Sequence, residues 1–349
     1  MDAGIITGLL IIAVGSFGQS SSYVPIRKVR AWSWESFWLA QGVFAWVLFP
    51  LAGALLVIPA GSSLGALLRG MNYWGPLLYG IAWGVGGLTF GLSMRYLGVA
   101  LGQSIALGTC AAFGTLLPAI FAGADLLRGE GLALLIGVCI TLAGIAVVGY
   151  AGVLRSKGLS KEERQAAIKD FALTRGLLVA LLAGVMSACF ALGLDAGSGI
   201  KERALAIGVN ALYAGLPVVQ LVALGGFITN AVYCLFCNAR HRTFSDYASP
   251  PAATLANNLL FCALAGLLWY SQFLGLEAGK SFLGESPLLL AFSWCILMSL
   301  NILFSYFWGL VLKEWKGARA GTIIALVIGL LILISSLVFT AMTNNAANS

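Results

Sequence analysis

Charge is what this chain has least of. Only 9% of its 349 residues are Asp, Glu, Lys or Arg, and it has a single histidine. A water-soluble domain carries about 25% charged residues. The charge left here is too little to cover a water-facing surface, which excludes a soluble enzyme, a nucleic-acid binder and a disordered chain. The net charge of +7 does not argue for nucleic acid, because the basic residues stand in short clusters between apolar runs. The 7 cysteines are an odd number scattered through apolar segments, so they form no disulfide framework. Cys234 and Cys237 make one C-x-x-C, but no second Cys or His pair has metal spacing, so neither metal nor cofactor is expected. H-E-x-x-H, G-x-S-x-G and phosphate-cradling motifs are missing, which argues against an enzyme. No basic region precedes the first apolar stretch and no small-x-small site ends it. That stretch is therefore expected to stay as a helix and not to be cleaved.

What is abundant is apolar surface. Hydrophobic residues make up 60% of the chain and glycine contributes 44 positions. A bilayer-spanning helix needs about 20 mostly apolar residues. Such runs lie at 4–24, 35–58, 73–96, 99–122, 131–153, 173–196, 209–236, 253–276, 287–312 and 319–342. Only helices or closed barrels satisfy their backbone in lipid, and continuous runs of this length are helices. An all-α integral membrane fold with ten transmembrane helices is therefore predicted. Most Lys and Arg fall in loops opposite the N-terminus, leaving only Arg69, Arg128, Lys201, Arg203 and Lys280 on the N-terminal side. The bias puts both termini outside the cytoplasm.

The two halves resemble each other. Residues 90–104 align without a gap at an offset of 177 with 267–281, sharing aromatic-Leu-Gly followed by Gly-x-Ser. This divides the chain into a first five-helix repeat (1–154), a cytoplasmic connector (155–172) and a second repeat (173–349). Five is odd, so the second copy enters the membrane from the opposite face. Inverted repeats of this kind build many secondary transporters, with a site between repeats and alternating access by rocking. Gly80-x-x-x-Gly84 and Gly87-x-x-x-Gly91 predict close helix packing. Pro118 and Pro217 fall within the fourth and seventh runs, where they are expected to kink the helix.

Three motifs, Val24-Pro-Ile-Arg-Lys-Val-Arg-Ala-Trp-Ser-Trp-Glu35, Met94-Arg-Tyr-Leu-Gly98 and Gly309-Leu-Val-Leu-Lys-Glu-Trp315, resemble those of the L-rhamnose–proton symporter family, a branch of the drug/metabolite transporter superfamily. The resemblance spans most of the chain. It implies a bacterial inner-membrane permease importing a deoxyhexose with protons by alternating access. The alternative is an uncoupled or differently coupled carrier or exporter of another small metabolite. The chain departs from the family at 277–290, which lacks the expected His and Arg, so the sugar is less constrained than the carrier class.

Ionisable residues inside a membrane are costly and are functional candidates by default. For proton coupling these are Glu285, Asp195 and Glu277, with sodium as the alternative ion. A second reading makes 277–286 an outward loop, with Lys280 opposite Glu277 and Ser286-Pro287 capping the next helix. For the sugar, the candidates are Gln19 and Tyr23 in the Ser-rich end of the first helix, Arg95 and Gln103, and Trp269, Gln272 and Lys280. Arg95 with Gln272, and Gln103 with Lys280, occupy equivalent repeat positions. Arg95 also suits snorkelling, and the glutamines suit helix-to-helix hydrogen bonds. Trp83, Tyr270 and Trp294 are further stacking candidates, while Trp32, Trp34 and Trp315 read as interfacial anchors. Glu35 is expected to cap the second helix or pair with Arg27 or Lys28, and His241 to be a solvated loop residue. The lipid bilayer and a small sugar are the expected partners; the oligomeric state is not legible.

Overall fold

The protein is described by a computed structural model covering residues 3–97, 99–158, 173–248, 251–283, 286–313 and 315–347. All regular structure among these residues is helical, and 10 helical segments are long and apolar enough to cross a membrane. The chain is a multi-pass membrane protein.

The first span joins α1 (Ala3–Ser21) to a short α2 (Tyr23–Ile26). The second is composite: α3 (Trp34–Gly42), a π-helical stretch (Val43–Leu48) and α4 (Phe49–Leu56). Pro50 explains the interruption, because its ring excludes a regular α-helical turn around the carbonyl four residues earlier and it has no N–H to donate. Phe49 N–H instead bonds Phe44 carbonyl, five residues back. A short α5 (Leu64–Leu68) precedes α6 (Trp74–Leu97), α7 (Val99–Phe121) and α8 (Gly129–Lys157). Then come α9 (Leu173–Ala196), α10 (Ser198–Ala206), α11 (Leu216–His241), a 3-10 turn (Thr243–Tyr247), α12 (Ala252–Phe282), α13 (Pro287–Val311) and α14 (Ala320–Ala347).

Two boundaries differ from the sequence expectation. The seventh span starts at Leu216, not 209, with Pro217 in its first turn. A proline there sacrifices no hydrogen bond, because first-turn N–H groups have no intrahelical acceptor; Pro217 opens the helix and does not kink it. The eighth span runs on to Phe282, so Glu277 and Lys280 are helical and not in a loop. The expected start of the ninth span is observed: Ser286 Oγ accepts from Leu289 N–H at 3.2 Å, with Pro287 first in the helix.

Two compact units form. The first comprises Met1–Leu9, Val85–Leu192 and Phe282–Ser349, the second Leu10–Gly84 and Gly193–Ser281. Each draws on both halves of the chain. In the first unit, Gly144 packs on Leu333 and Gly329 on Val148, bringing α8 and α14 close. Thr141 Oγ1 bonds Ser336 Oγ at 3.0 Å inside that contact. Phe190 stacks on Trp294 at 6.0 Å. Trp315 is only 8% exposed, beside Tyr306 and beneath Arg155 at 5.3 Å; it is a packed residue and not an exposed interfacial anchor.

In the second unit, Gly80 lies against Val222 and Gly84 against Thr229, so the first Gly-x-x-x-Gly packs α6 on α11. Gly87 and Gly91 have nothing within 4 Å of where a side chain would start, so the second motif packs no helix among the described residues. The segment between α2 and α3 is strapped down: Arg30 exchanges backbone bonds with the Asn258 side chain at 3.0 and 2.7 Å, and Asn257 holds Lys28 carbonyl at 3.0 Å.

Candidate functional site

The second unit holds three polar or aromatic clusters in order along α11. This helix has 26 residues, about 39 Å at about 1.5 Å per residue. At its first end is Gly215, whose Cα hydrogen faces the Glu277 carboxylate. Glu277, on α12, is 4% exposed and ion-paired to Lys201 on α10 at 3.2 Å and to Lys280 at 3.4 Å. Two ammonium groups offset the cost of burying one carboxylate, which lets charge enter the helix end that the sequence reading gave to a loop. Only glycine fits at 215, because a Cβ there would meet the carboxylate itself.

Midway along α11, Ala223 packs on Trp46 from the π-helical stretch. Trp46 is 4% exposed and has three half-buried indoles edge-on to it: Trp38 at 5.6 Å, Trp83 at 5.7 Å and Trp269 at 6.0 Å. Trp83 and Trp269 are 5.8 Å apart, and Phe273 abuts Trp269 at 5.2 Å. Edge-to-face geometry is the favoured arrangement for such rings. Glycines admit them: Gly226 faces the Trp83 ring and Gly42 the Trp46 ring. Trp38 Nε1 donates to Asn230 Oδ1 at 2.9 Å, while Asn230 Nδ2 donates to Gly226 carbonyl at 2.8 Å.

Several buried polar atoms of these same helices have no hydrogen-bond partner among the described residues: Trp46 Nε1, Gln41 Oε1, Gln220 Oε1 and Tyr270 Oη. An unpaired buried polar group costs roughly 1–3 kcal/mol. Trp46 Nε1 belongs to the aromatic cluster, Gln41 and Gln220 stand on the helices that carry Trp38 and Ala223, and Tyr270 Oη lies against Gly53.

At the far end of α11, His241 is its last residue, and Nδ1 lies 2.9 Å from Glu35 Oε1. Thr243 Oγ1 also donates to Glu35 Oε1 at 3.0 Å. Glu35 is thus a buried member of a network, and its partner His241 is exposed, as expected, but ends a helix and does not lie in a loop. Asn238 links Ser36 and Thr243 at 2.9 and 2.8 Å. Ser33 donates to Asp246 Oδ2 through both N–H (2.8 Å) and hydroxyl (2.7 Å), and Trp32 Nε1 bonds Asp246 carbonyl at 2.6 Å. Trp32 is therefore hydrogen-bonded into the protein, while Trp34 is 49% exposed and stacks on Trp38 at 5.6 Å.

Burial alone would raise the Asp246 carboxyl, but the Ser33 and Ser36 hydrogen bonds outweigh it and hold it below its usual value of 3.8. A depressed folded value contributes stability that is complete above the ordinary pKa and disappears as pH falls through the folded one. Asp246→Asn is thus expected to lower the melting temperature in detergent at neutral pH, and the gap to the parent protein is expected to close on acidification below the Asp246 titration. A gap that stayed constant with pH would show that the carboxylate charge contributes nothing.

Of the residues singled out from sequence, Trp269, Gln272, Glu277 and Lys280 all lie on α12 within this unit. Gln272 is buried, with Nε2 donating to Trp269 carbonyl at 3.1 Å. Gln19 is half-buried on α1 and accepts from Ser20 at 3.3 Å. Tyr23 is 57% exposed, and Asp195 is exposed at the end of α9. Arg95 (exposed) and Gln103 (half-buried) belong to the first unit. Glu285 lies outside the described residues, as do 159–172 of the connector. The sequence reading missed Trp38, Trp46, Gln41, Asn230, Lys201 and the Glu35–His241 pair. A signal for part of this was present: Trp34, Trp38 and Trp46 crowd one span.

Comparison with known proteins follows the same line. The family profile described as L-rhamnose-proton symport protein (RhaT) matches residues 1–344. Two similar curated proteins, from Yersinia pestis (strain Pestoides F) and Yersinia pseudotuberculosis serotype O:3 (strain YPIII), are each 35% identical over 345 residues, covering 96% of this chain and 96% of theirs. Both are named L-rhamnose-proton symporter. A solved structure titled "Crystal structure of protein" has the same fold at a TM-score of 0.53 and 18% identity, over 98% of this chain and 99% of that one.

Proposed function

The chain belongs to the L-rhamnose-proton symport protein family, and from that premise we propose that it imports L-rhamnose together with a proton across a bacterial inner membrane by alternating access. One observation carries the sugar half of the reading: the half-buried Trp38, Trp83 and Trp269 gathered round buried Trp46, whose Nε1 has no partner. A deoxyhexose has a C–H face and a methyl group that suit indole rings. Its hydroxyls would pair with Trp46 Nε1, Gln41, Gln220 and Tyr270, with Gln272, three residues beyond Trp269 on α12, and Gln19 on α1 as further candidates. Trp46 and Trp83 sit near the middle of their spans, where secondary transporters hold their substrates.

For the proton we choose Glu277 over the other two carboxylates. It is buried on α12, the helix that also carries Trp269 and Gln272; Lys201 and Lys280 hold it as the carboxylate, so it takes up a proton only when the transport cycle draws those ammonium groups away. The internal repeat supports two inverted five-helix halves of the drug/metabolite transporter type, and the basic loops support termini on the outer side. Membership of a transporter family favours a carrier over an enzyme.

The test is uptake into proteoliposomes. Labelled L-rhamnose is expected to accumulate with an inward proton gradient and to equilibrate only when a protonophore collapses it. Uptake indifferent to the gradient would favour the uncoupled carrier, dependence on sodium would replace the coupling ion, and no rhamnose uptake at all would sink the substrate assignment.

A further inference from the structure

The symport reading leaves the Glu35–His241 cluster without a task. It stands at the opposite end of α11 from Glu277, a helix length away, and combines two features. The carboxylate is enclosed, with its side chain 9% exposed, while the imidazole bonded to it is 53% exposed. One nitrogen of the ring is thus held by a buried acid while more than half of the side chain is exposed. His241 is the chain's single histidine, and histidine alone has an ordinary pKa, about 6.5, inside the physiological range. The sole residue of that kind is fixed where a buried charge meets the surface.

We propose that His241, positioned by Glu35, is the proton-exchange residue on this side of the membrane: the group through which the co-transported proton passes between the protein and water. In the charged ring both nitrogens carry hydrogen, with Nδ1–H donated to Glu35 Oε1. Loss of the Nε2 proton to water leaves a neutral ring still donating Nδ1–H to Glu35, so the pair survives deprotonation and the carboxylate never stands alone. Thr243 Oγ1 holds the same carboxylate oxygen at 3.0 Å, fixing the acid while the ring cycles.

The other titratable or charged groups round the pair are few. Tyr233, Cys234, Cys237 and Arg240 are on α11, and Arg242 is its left-handed cap at φ 60°. Asp246 and Tyr247 are on the 3-10 turn, where Asp246 is engaged by Ser33. Arg27, Lys28 and Arg30 lie on the strap before α3. None of these ordinarily titrates near neutrality except the cysteines, which are buried.

The inference rests on the symport reading, and the experiment separates the two. In oriented proteoliposomes, the rate of rhamnose-driven proton movement is measured against pH on the His241 side, alongside equilibrium sugar exchange. The parent protein is expected to show a single inflection in that rate. His241→Gln is expected to lose that inflection and to keep equilibrium exchange. Glu35→Gln, which keeps the shape and removes the charge, is expected to displace it. Thr243→Val is expected to retain it, and melting curves confirm that each variant is folded. If rhamnose moves protons in the parent but His241→Gln keeps the inflection, or the parent has none, the inference is overturned and symport stands. If rhamnose moves no protons in the parent, symport itself falls. A His241→Gln protein that melts like the parent yet loses exchange as well would also overturn the inference, by assigning His241 to the sugar step.

Discussion

Glu277→Gln is expected to abolish proton-driven accumulation of sugar while leaving exchange of sugar for sugar across the membrane. The parent protein, coupled one proton to one sugar, gains about 1.4 kcal/mol per pH unit of gradient, or roughly tenfold accumulation. In the variant the ratio is expected to fall to about one. The amide keeps the size of the side chain and removes the exchangeable proton, and Lys201 and Lys280, at 3.2 and 3.4 Å in the parent, lose their counter-charge. Breaking a fully buried pair costs about 3–5 kcal/mol. Here both lysines are partly exposed, at 36% and 21%, so water relieves much of that and the variant is expected to fold. Lys280→Gln, which removes one of the two cations, is expected to slow uptake without eliminating accumulation. A Glu277→Gln protein that accumulates rhamnose like the parent would remove Glu277 from the coupling step, and would return attention to Glu285.

Trp269→Ala is expected to have a comparable effect on the sugar half of the cycle. This ring touches Trp46, Trp83 and Phe273 and is only half-buried, so it retains a face for a ligand. Losing the apolar contact and the stacking with a sugar face together removes about 2 kcal/mol of binding, roughly a thirtyfold rise in the dissociation constant. Trp46→Phe is the subtler variant. It keeps a ring in the centre of the cluster and removes an indole N–H that has no partner among the described residues, for a loss of about 1 kcal/mol, or roughly fivefold. The two are read by the stabilisation that rhamnose confers on the melting transition, since a ligand of the folded state raises it by mass action. Parent-like stabilisation in Trp269→Ala would move the sugar away from the tryptophans.

How Trp38 and Trp46 come to share one cluster shows where reading a sequence by period stops. They are eight residues apart, which in an unbroken α-helix at about 100° per residue leaves them about 80° out of register. The π-helical stretch Val43–Leu48 takes up roughly one extra residue and turns Trp46 back towards Trp38. Pro50 hints at an irregularity, but a proline does not say whether a helix will kink, stop or widen.

The spans, their number and the cap at Ser286-Pro287 follow from the sequence alone, because lipid imposes one rule on every residue in it: an apolar surface and a backbone bonded to itself. That rule acts locally and is legible in about 20 residues at a time. The sequence also determined the family, through motifs that lie within single segments. The partners of each polar group were decided only by the tertiary structure. Glu35 meets His241 across 206 positions of chain and Lys201 meets Glu277 across 76. A charge in a membrane protein is stabilised by whichever opposite charge the packing of helices brings to it, and no local pattern encodes that meeting. Even the setting of Glu277 belongs to this category: it is buried near the end of α12 between two lysines, one of them on another helix.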